Sequence, residues 1–147
     1  MALHDDIRRF VRVPLLAELE EDALRLIAFS AESNILNTGD VLFRSGEIAD
    51  CGFFVVSGSL MLEGGSMGQY QSKIIGVDTL VGEMALIAEI ERSVTASARE
   101  PSTLLRISRA LFRRVLEEFP ESAARARILI KLRLRNFAQE LDAISKS

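Results

Sequence analysis

The stretch that decides the fold covers residues 82–96 and reads GEMALIAEIERSVTA. It begins with a glycine and a carboxylate, Glu83, continues with a short apolar turn of helix, and reaches Arg92 nine residues after the carboxylate. The start of a short helix leaves backbone N–H groups free to face an anion, and an arginine presents a fork of donors that matches phosphate oxygens. A carboxylate only accepts hydrogen bonds and so suits a sugar hydroxyl. The spacing therefore predicts a site for a small molecule with one phosphate and one sugar hydroxyl.

The sequence around this stretch, residues 34–108, alternates short apolar runs with glycine-containing turns. Short strands at that spacing are typical of an all-β sandwich or jelly roll. Apolar residues at helical spacing predict helices on both sides, over residues 5–13, 15–31, 109–119 and 121–144. The expected fold class is mainly β with flanking helices, a jelly roll (double-stranded β-helix) in one domain spanning 1–147. Its parts are N-terminal helices in 1–31, the jelly roll in 34–108, and C-terminal helices in 109–147 that include one long helix.

The motif at 82–96 resembles the phosphate-binding cassette of cyclic nucleotide-binding domains. This module occurs in catabolite activator proteins, in regulatory subunits of cAMP-dependent protein kinase and in cyclic-nucleotide-gated channels. Residues 38–47, 49–60 and 104–120 resemble the strands, glycine turns and helix around the cassette, so the likeness extends over roughly residues 13–141. The resemblance implies that the ligand is cAMP or cGMP, and no other cofactor is expected.

The resemblance also implies a role for each residue of the cassette. Glu83 is expected to accept a hydrogen bond from the ribose 2′-hydroxyl, Arg92 to clamp the cyclic phosphate, and Gly82 to leave room for the sugar. The backbone N–H groups of Ala85 and Ser93 are expected to complete the phosphate cradle. The predicted ligand-binding residues are Gly82, Glu83, Met84, Ala85, Arg92, Ser93 and Thr95.

Alternatives stay open for several of these residues. Glu83 can be a structural glutamate paired with Arg92 or with another cation, and Met84 suits the core as well as a ligand contact. Thr95 can face either the pocket or the core. The hydroxyl of Ser93 can contact the phosphate or the amino group of a guanine, so this residue is compatible with both cAMP and cGMP.

Two positions depart from the family pattern. Asp78 and Thr79 stand where family members often have a Gly-Asp pair, which alters a turn ahead of the cassette. Glu91 precedes Arg92 where many members have proline. Because neighbouring residues at a strand face opposite sides, Glu91 is expected to point away from the phosphate.

The long C-terminal helix carries a heptad stripe that favours a homodimer. Its residues are Ile130, Leu134, Phe137, Leu141 and Ile144. The alternative is that the stripe only caps the monomer. The same helix is a candidate lid over the pocket, with a residue in 133–139 touching the base; Asn136 and Phe137 are the predicted contacts.

Composition narrows the function classes. The net charge of −3 is uneven, and residues 99–147 carry eleven basic and six acidic side chains, which we attribute to a solvated helix face rather than to a nucleic-acid surface. A single cysteine, Cys51, excludes an internal disulfide and favours a reducing, cytoplasmic compartment. A single histidine, His4, leaves no basis for a histidine metal site or a Ser-His-Asp triad. No metal, catalytic residue, secretory signal or membrane segment is predicted.

We therefore predict a non-enzymatic, Crp/Fnr-like sensor module that signals through its C-terminal helix, acting on an unidentified effector protein or within a dimer. No helix-turn-helix follows the long helix before Ser147, so no DNA-binding domain is expected in the chain. One alternative is a truncated relative of a transcription regulator. Another is a degenerate module that dimerises without binding nucleotide. A cupin-type metalloenzyme ranks last, because such sites rely on histidines inside the barrel.

Overall fold

The computed structural model describes the backbone of residues 2–64 and 72–146, and the side chains of residues 6–64, 72–136, 138 and 139. Three helices precede the strands: α1 (Ala2–Phe10), α2 (Pro14–Ala17) and α3 (Glu21–Ser30). The strands are β1 (Glu32–Leu36), β2 (Val41–Phe43), β3 (Ile48–Ala49), β4 (Cys51–Ser57), β5 (Leu60–Glu63), β6 (Ser72–Ile75), β7 (Leu80–Val81), β8 (Ile90–Glu91), β9 (Thr95–Ala98) and β10 (Ser102–Ser108). A 3₁₀ helix, Glu83–Leu86, lies between β7 and β8, and the helices α4 (Arg109–Glu118) and α5 (Pro120–Lys146) follow β10.

Over the described residues, the strands pair antiparallel in two four-stranded sheets and one short ribbon. The sheet orders are β1-β10-β4-β7 and β2-β9-β5-β6, and β3 pairs with β8 in the ribbon. The register places Phe54 of β4 opposite Leu105 of β10, and Leu62 of β5 opposite Ala96 of β9. The predicted class, a jelly roll with N-terminal helices and a long C-terminal helix, is confirmed.

Strand β4 separates two apolar clusters because successive side chains of a strand face opposite sides. Phe54 is fully buried on the helical side, where its ring meets Phe10 edge to face with centroids 4.8 Å apart. Phe53 and Val55 face the second cluster, between the sheets, which also contains Phe43. The helices therefore cover one face of the β4 sheet, and the second cluster lies under the candidate site.

The predicted helix boundaries need correction at several places. The helix expected over residues 15–31 is two helices, because the Glu20 backbone N–H, just before α3, donates to Ser122 Oγ of α5 at 2.9 Å. Pro14 and Pro120, which lie just outside the expected helix ranges, are the first residues of α2 and α5. The first helical position tolerates proline, since its N–H would have no partner in the helix. The first helix ends at Phe10 and not at residue 13.

The turn that replaces the family's Gly-Asp pair is anchored by the first helix. Asp78 has a left-handed backbone with φ of +63°, a conformation that aspartate adopts more readily than most residues. Its carboxylate is paired with Arg9, and Arg12 Nη1 donates to it at 2.6 Å. Arg9 also donates to the carbonyl oxygen of Val56. Helix α1 is thus attached to the turn that leads into β7 and the cassette.

Candidate functional site

The backbone of the cassette is shaped by a left-handed glycine and a short helix. Gly82 follows β7 with φ of +81° and caps the 3₁₀ helix that starts at Glu83. Ala85 and Leu86 are buried and anchor this helix to the core. The predicted helical turn is therefore present, but it is a 3₁₀ helix of one turn that begins a residue earlier than the apolar run.

Arg92 is positioned by hydrogen bonds between two loops. Its backbone N–H donates to the Glu47 carbonyl at 2.7 Å, and its carbonyl accepts from the Gly46 N–H at 2.8 Å. The ribbon of β3 and β8 precedes it, with Ile48 opposite Glu91 and Ala49 opposite Ile90. These contacts direct the Arg92 side chain into the protein, where it is only 7% exposed.

The guanidinium of Arg92 lies in a pocket that leaves part of it unsatisfied. Nη2 donates to the carbonyl oxygen of Cys51 at 2.7 Å, and the guanidinium carbon lies 4.2 Å from the centre of the Phe43 ring. Nη1 is buried and has no hydrogen-bond partner among the described residues. A buried charged donor without a partner costs several kcal/mol. An anion placed at Nη1 would remove that cost, so the geometry suits a phosphate.

Gly82 is required by the arginine as well as by the backbone. A Cβ atom at this position would lie 2.4 Å from Nη1 of Arg92, far inside van der Waals contact. Positive φ is also a conformation that residues with a side chain rarely adopt. The sequence-based reason, room for a sugar, is therefore incomplete, because in the structure the space beside Gly82 belongs first to the guanidinium.

A cavity of about 210 Å³ opens beside the guanidinium. Of the predicted site residues, it is lined by Gly82, Arg92 and Ser93. Its other lining residues are Phe43, Leu62, Val81, Ile90, Glu91 and Val94. The walls are thus largely apolar, with the cationic group at one side, and an apolar lining with a few polar or charged groups is common in small-molecule sites.

A larger cavity, of about 480 Å³, lies elsewhere, between α1 and α3. It is lined by Ile7, Arg8, Val11, Leu19, Glu21 and Leu24 and includes no residue of the cassette. We give the smaller cavity priority because Arg92, whose Nη1 is buried and unsatisfied among the described residues, is one of its lining residues.

Glu83 does not line the cavity beside Arg92 but contacts the C-terminal helix. Its Oε1 lies 2.8 Å from Nε of Arg133 in α5, and the Glu83 side chain is 20% exposed. The contact is an ion pair without a well-aligned hydrogen bond, since the Arg133 Nε–H has no hydrogen-bond partner in the described region. The alternative in which Glu83 pairs with a cation is the arrangement in the structure, and the cation is Arg133, not Arg92.

The sequence did not single out Arg133, although one signal was available. Ser122 and Ala126 of α5 are fully buried, and Arg133 follows Ala126 by seven residues, so the three share one face of the helix. A polar residue on a buried face needs a partner. The pairing itself could not be predicted, because the sequence does not say which acidic residue that face meets.

Three other predicted ligand-binding residues, Met84, Ala85 and Thr95, do not line the cavity in the structure. The Ala85 N–H, expected to face phosphate, donates instead to the Gly82 carbonyl at 3.0 Å, and Ala85 is fully buried. Thr95 Oγ1 accepts from the Ser45 N–H at 3.0 Å and so holds a turn. Met84 is half-buried in the short helix and does not line the cavity.

The structure describes the side chain of only one of the two predicted lid residues. Asn136 is exposed, and the side chain of Phe137 lies outside the described residues. In the structure, α5 reaches the cassette through Arg133. Glu91 is exposed, as expected for a side chain pointing outward, although it contributes to the rim of the cavity.

Cys51 lies directly against the guanidinium. Its Sγ is 3.5 Å from Arg92 Nη2, and burial raises the pKa of the Cys51 thiol above its ordinary value, although Arg106 and Arg92 act in the opposite direction. The thiol is therefore neutral at pH 7 and adds no negative charge beside Arg92.

Two further properties concern the described part of the chain. No helix there is long and apolar enough to span a membrane. No group of three or more His, Cys, Asp and Glu side chains in that part is arranged to hold a metal ion.

Comparison with known proteins assigns the class. Residues 34–119 match the cyclic nucleotide-binding domain family, which is more than half of the chain, so the chain belongs to this family. The solved structure of a cyclic nucleotide-binding-like protein from Brucella abortus is 41% identical, with a TM-score of 0.70, and the match covers 77% of this chain and 98% of that one.

Two curated relatives are longer proteins. The chain is 28% identical to the cyclic AMP receptor protein of Thermus thermophilus, over 90% of this chain and 62% of the receptor. It is 33% identical to a cyclic nucleotide-gated potassium channel of Mesorhizobium japonicum, over 82% of this chain and 35% of the channel. The chain thus spans less than two thirds of the length of either relative.

Proposed function

We propose that this chain is a regulatory module that binds cAMP or cGMP, with Arg92 holding the cyclic phosphate. The observation that carries the proposal is the buried Nη1 of Arg92, which has no hydrogen-bond partner in the described region. It stands beside the left-handed Gly82 at the start of the 3₁₀ helix. A phosphate oxygen at this point would accept from the arginine and also lie near the backbone dipoles at the start of the helix.

The ion pair between Glu83 and Arg133 is compatible with a role for Glu83 in binding ribose. A carboxylate has acceptor sites for about four hydrogen bonds, and the ion pair uses Oε1. The second oxygen can accept from a ribose hydroxyl while Arg133 keeps the carboxylate oriented. Binding of the Ala85 N–H to phosphate requires its bond to the Gly82 carbonyl to open, so we expect the short helix to rearrange on ligation.

Signal output through α5 follows from the same ion pair. Ligands change a conformational equilibrium only through different affinities for its states. A ribose that changes the position of Glu83 also changes the position of Arg133, and Arg133 belongs to the 27-residue helix α5. We propose that this helix transmits binding to an effector protein or to a second copy of the chain.

Homodimerisation through α5 is part of the proposal. Ile130 is half-buried against the core, whereas Leu134 is 38% exposed and available to a partner. The side chains of Phe137, Leu141 and Ile144 lie outside the described residues. Light scattering on Leu134→Arg is expected to show a monomer where the unsubstituted chain shows a dimer. Equal masses would favour the alternative that the stripe only caps the monomer.

Ser93, at the edge of the cavity, is the residue that bears on the choice between cAMP and cGMP. Ser93 is exposed and lines the cavity next to Arg92, a position from which a hydroxyl can serve either base. One relative is a cyclic AMP receptor protein and another a cyclic nucleotide-gated potassium channel, so the relatives support the ligand class and not one member of it.

The test is calorimetric titration of the chain with cAMP and with cGMP, repeated on Arg92→Ala. A charge-assisted hydrogen bond is worth roughly 1.5–3 kcal/mol, so the substitution should weaken binding by roughly one to two powers of ten. Arg44→Ala is the matched control, because Arg44 is an exposed arginine that does not line the cavity. Equal affinities of both variants would overturn the role of Arg92. Absence of binding by the unsubstituted chain would favour a dimerising module without nucleotide.

A further inference from the structure

We propose that Phe43 is a positioning residue for nucleotide binding, which holds the guanidinium of Arg92 by stacking under it. This inference rests on the proposed function and adds a residue that the cassette motif does not contain. Phe43 ends strand β2, almost 50 residues before Arg92 in the chain. Its ring centre lies 4.2 Å from the guanidinium carbon, well within the range of a cation–π contact.

The contact matters because few other groups hold the guanidinium. Both hydrogen bonds that the Arg92 side chain makes within the described region come from Nη2, and they go to the carbonyl oxygen and the sulfur of Cys51. A sulfur acceptor is weak, so the carbonyl fixes one corner of the group. With this one strong hydrogen bond, the planar guanidinium can still rotate about Nη2. A ring against its face removes this freedom and keeps Nη1 directed at Gly82.

Phe43 is itself held in place by a second aromatic ring. Phe53 of β4 stacks against it with ring centroids 6.2 Å apart and planes 25° from parallel, and both rings are 6% exposed. Phe53 also lies 5.8 Å from the guanidinium carbon. Strand pairing fixes the base of the stack, since Phe43 is opposite Ala96, four residues after the arginine. The guanidinium and the two rings therefore form a compact triangle, in which each ring contacts both the other ring and the guanidinium.

The contact between Phe43 and Arg92 is strengthened because both side chains are shielded from water. The cation–π contact is stronger when the cation is desolvated, and Arg92 is 7% exposed. A preorganised guanidinium loses less conformational freedom when it meets the phosphate, so affinity depends on the ring although the ring carries no polar group. Leucine at position 43 would fill much of the volume but would provide no π face.

The test is a double-mutant cycle measured by calorimetric titration with cAMP and cGMP. Phe43→Leu is expected to weaken binding about three- to thirty-fold, from the range of desolvated cation–π contacts. In the Arg92→Ala background the same change is expected to alter affinity less than about two-fold. Phe43→Tyr keeps the π face and should restore most of the affinity. Equal effects of Phe43→Leu in both backgrounds would overturn the proposal, because a merely structural role acts independently of the arginine.

A control variant and an NMR measurement distinguish this proposal from a general loss of stability and from failure of the proposed function. Phe112→Leu removes a ring that is 1% exposed in the other apolar cluster, so it should lower stability without lowering affinity. Proton NMR of the chain without nucleotide should show upfield ring-current shifts of the Arg92 side-chain protons that disappear in Phe43→Leu. Absence of these shifts overturns the stack itself. Shifts without any nucleotide binding would overturn the proposed function, and the binding role of Phe43 with it.

Discussion

Substitution of Gly82 by alanine tests whether the cassette is built around the arginine. The new Cβ would lie 2.4 Å from Nη1 of Arg92, so one of the two must move. The guanidinium is the flexible end of a long side chain and can move at small cost to folding. The left-handed backbone at φ of +81° adds about 1–2 kcal/mol of strain for a residue with a side chain. We therefore expect a modest loss of stability and a larger loss of ligand affinity.

Gly39→Ala is the matched control, because Gly39 has a similar φ of +89° but open space around its Cβ position. Urea unfolding should give similar free energies of unfolding for both variants. Titration with cAMP and cGMP should separate them, because displacing the guanidinium removes a charge-assisted bond worth roughly 1.5–3 kcal/mol, or one to two powers of ten in affinity. If Gly82→Ala binds as tightly as Gly39→Ala, the guanidinium beside Gly82 is not the phosphate ligand.

Three further predictions concern the surroundings of the site. Asp78→Asn keeps a residue that tolerates positive φ but removes the charge that faces Arg9 of α1 and Arg12 just after it. Since Arg12 is largely exposed, we expect a loss of roughly 1–2 kcal/mol, measured as a salt-sensitive fall in melting temperature. Cys51 should react slowly with iodoacetamide at pH 8 in the folded chain and rapidly in urea, because burial raises the pKa of its thiol and shields it from the reagent; equal rates would contradict its burial. Arg133→Ala leaves Glu83 unpaired and free to rotate, so nucleotide affinity by titration should fall, whereas an unchanged affinity would show that α5 does not support the cassette.

The sequence could predict the β-rich fold because its turn signals are local. Glycines at positions 39, 46, 58 and 64 all have positive φ, and the glycine itself makes each of these turns recognisable in the sequence. Local chemistry of this kind needs no knowledge of distant contacts. The cassette was found for the same reason, since its glycine, carboxylate and arginine lie within one stretch of residues 82–92.

The sequence could not predict the contacts that join distant segments at the site. Arg133 meets Glu83 across 50 positions, and Phe43 meets Arg92 across 49. Neither pair has a periodic or spacing signal, because each depends on how whole elements pack. The phosphate contact of the Ala85 N–H stays a prediction, and the local motif did not indicate that the short helix uses this N–H in a bond to the Gly82 carbonyl.

The turn at Asp78 departs from the family's sequence pattern and is stabilised by contacts with residues far away in the chain. A non-glycine residue with φ of +63° is strained in isolation. Arg9 and Arg12 lie more than 60 residues earlier in the chain, and together they bind both carboxylate oxygens. The family pattern at this turn is therefore replaced by an interaction with α1 that the turn sequence alone does not indicate.

The most direct test of the central claim is a crystal structure of the chain grown with cAMP and, separately, with cGMP. We predict that the cyclic phosphate lies within hydrogen-bond distance of Arg92 Nη1, at the start of the 3₁₀ helix Glu83–Leu86, with the ribose facing Glu83. Nucleotide density at another site, or a phosphate out of reach of this nitrogen in a fully occupied complex, would contradict the account.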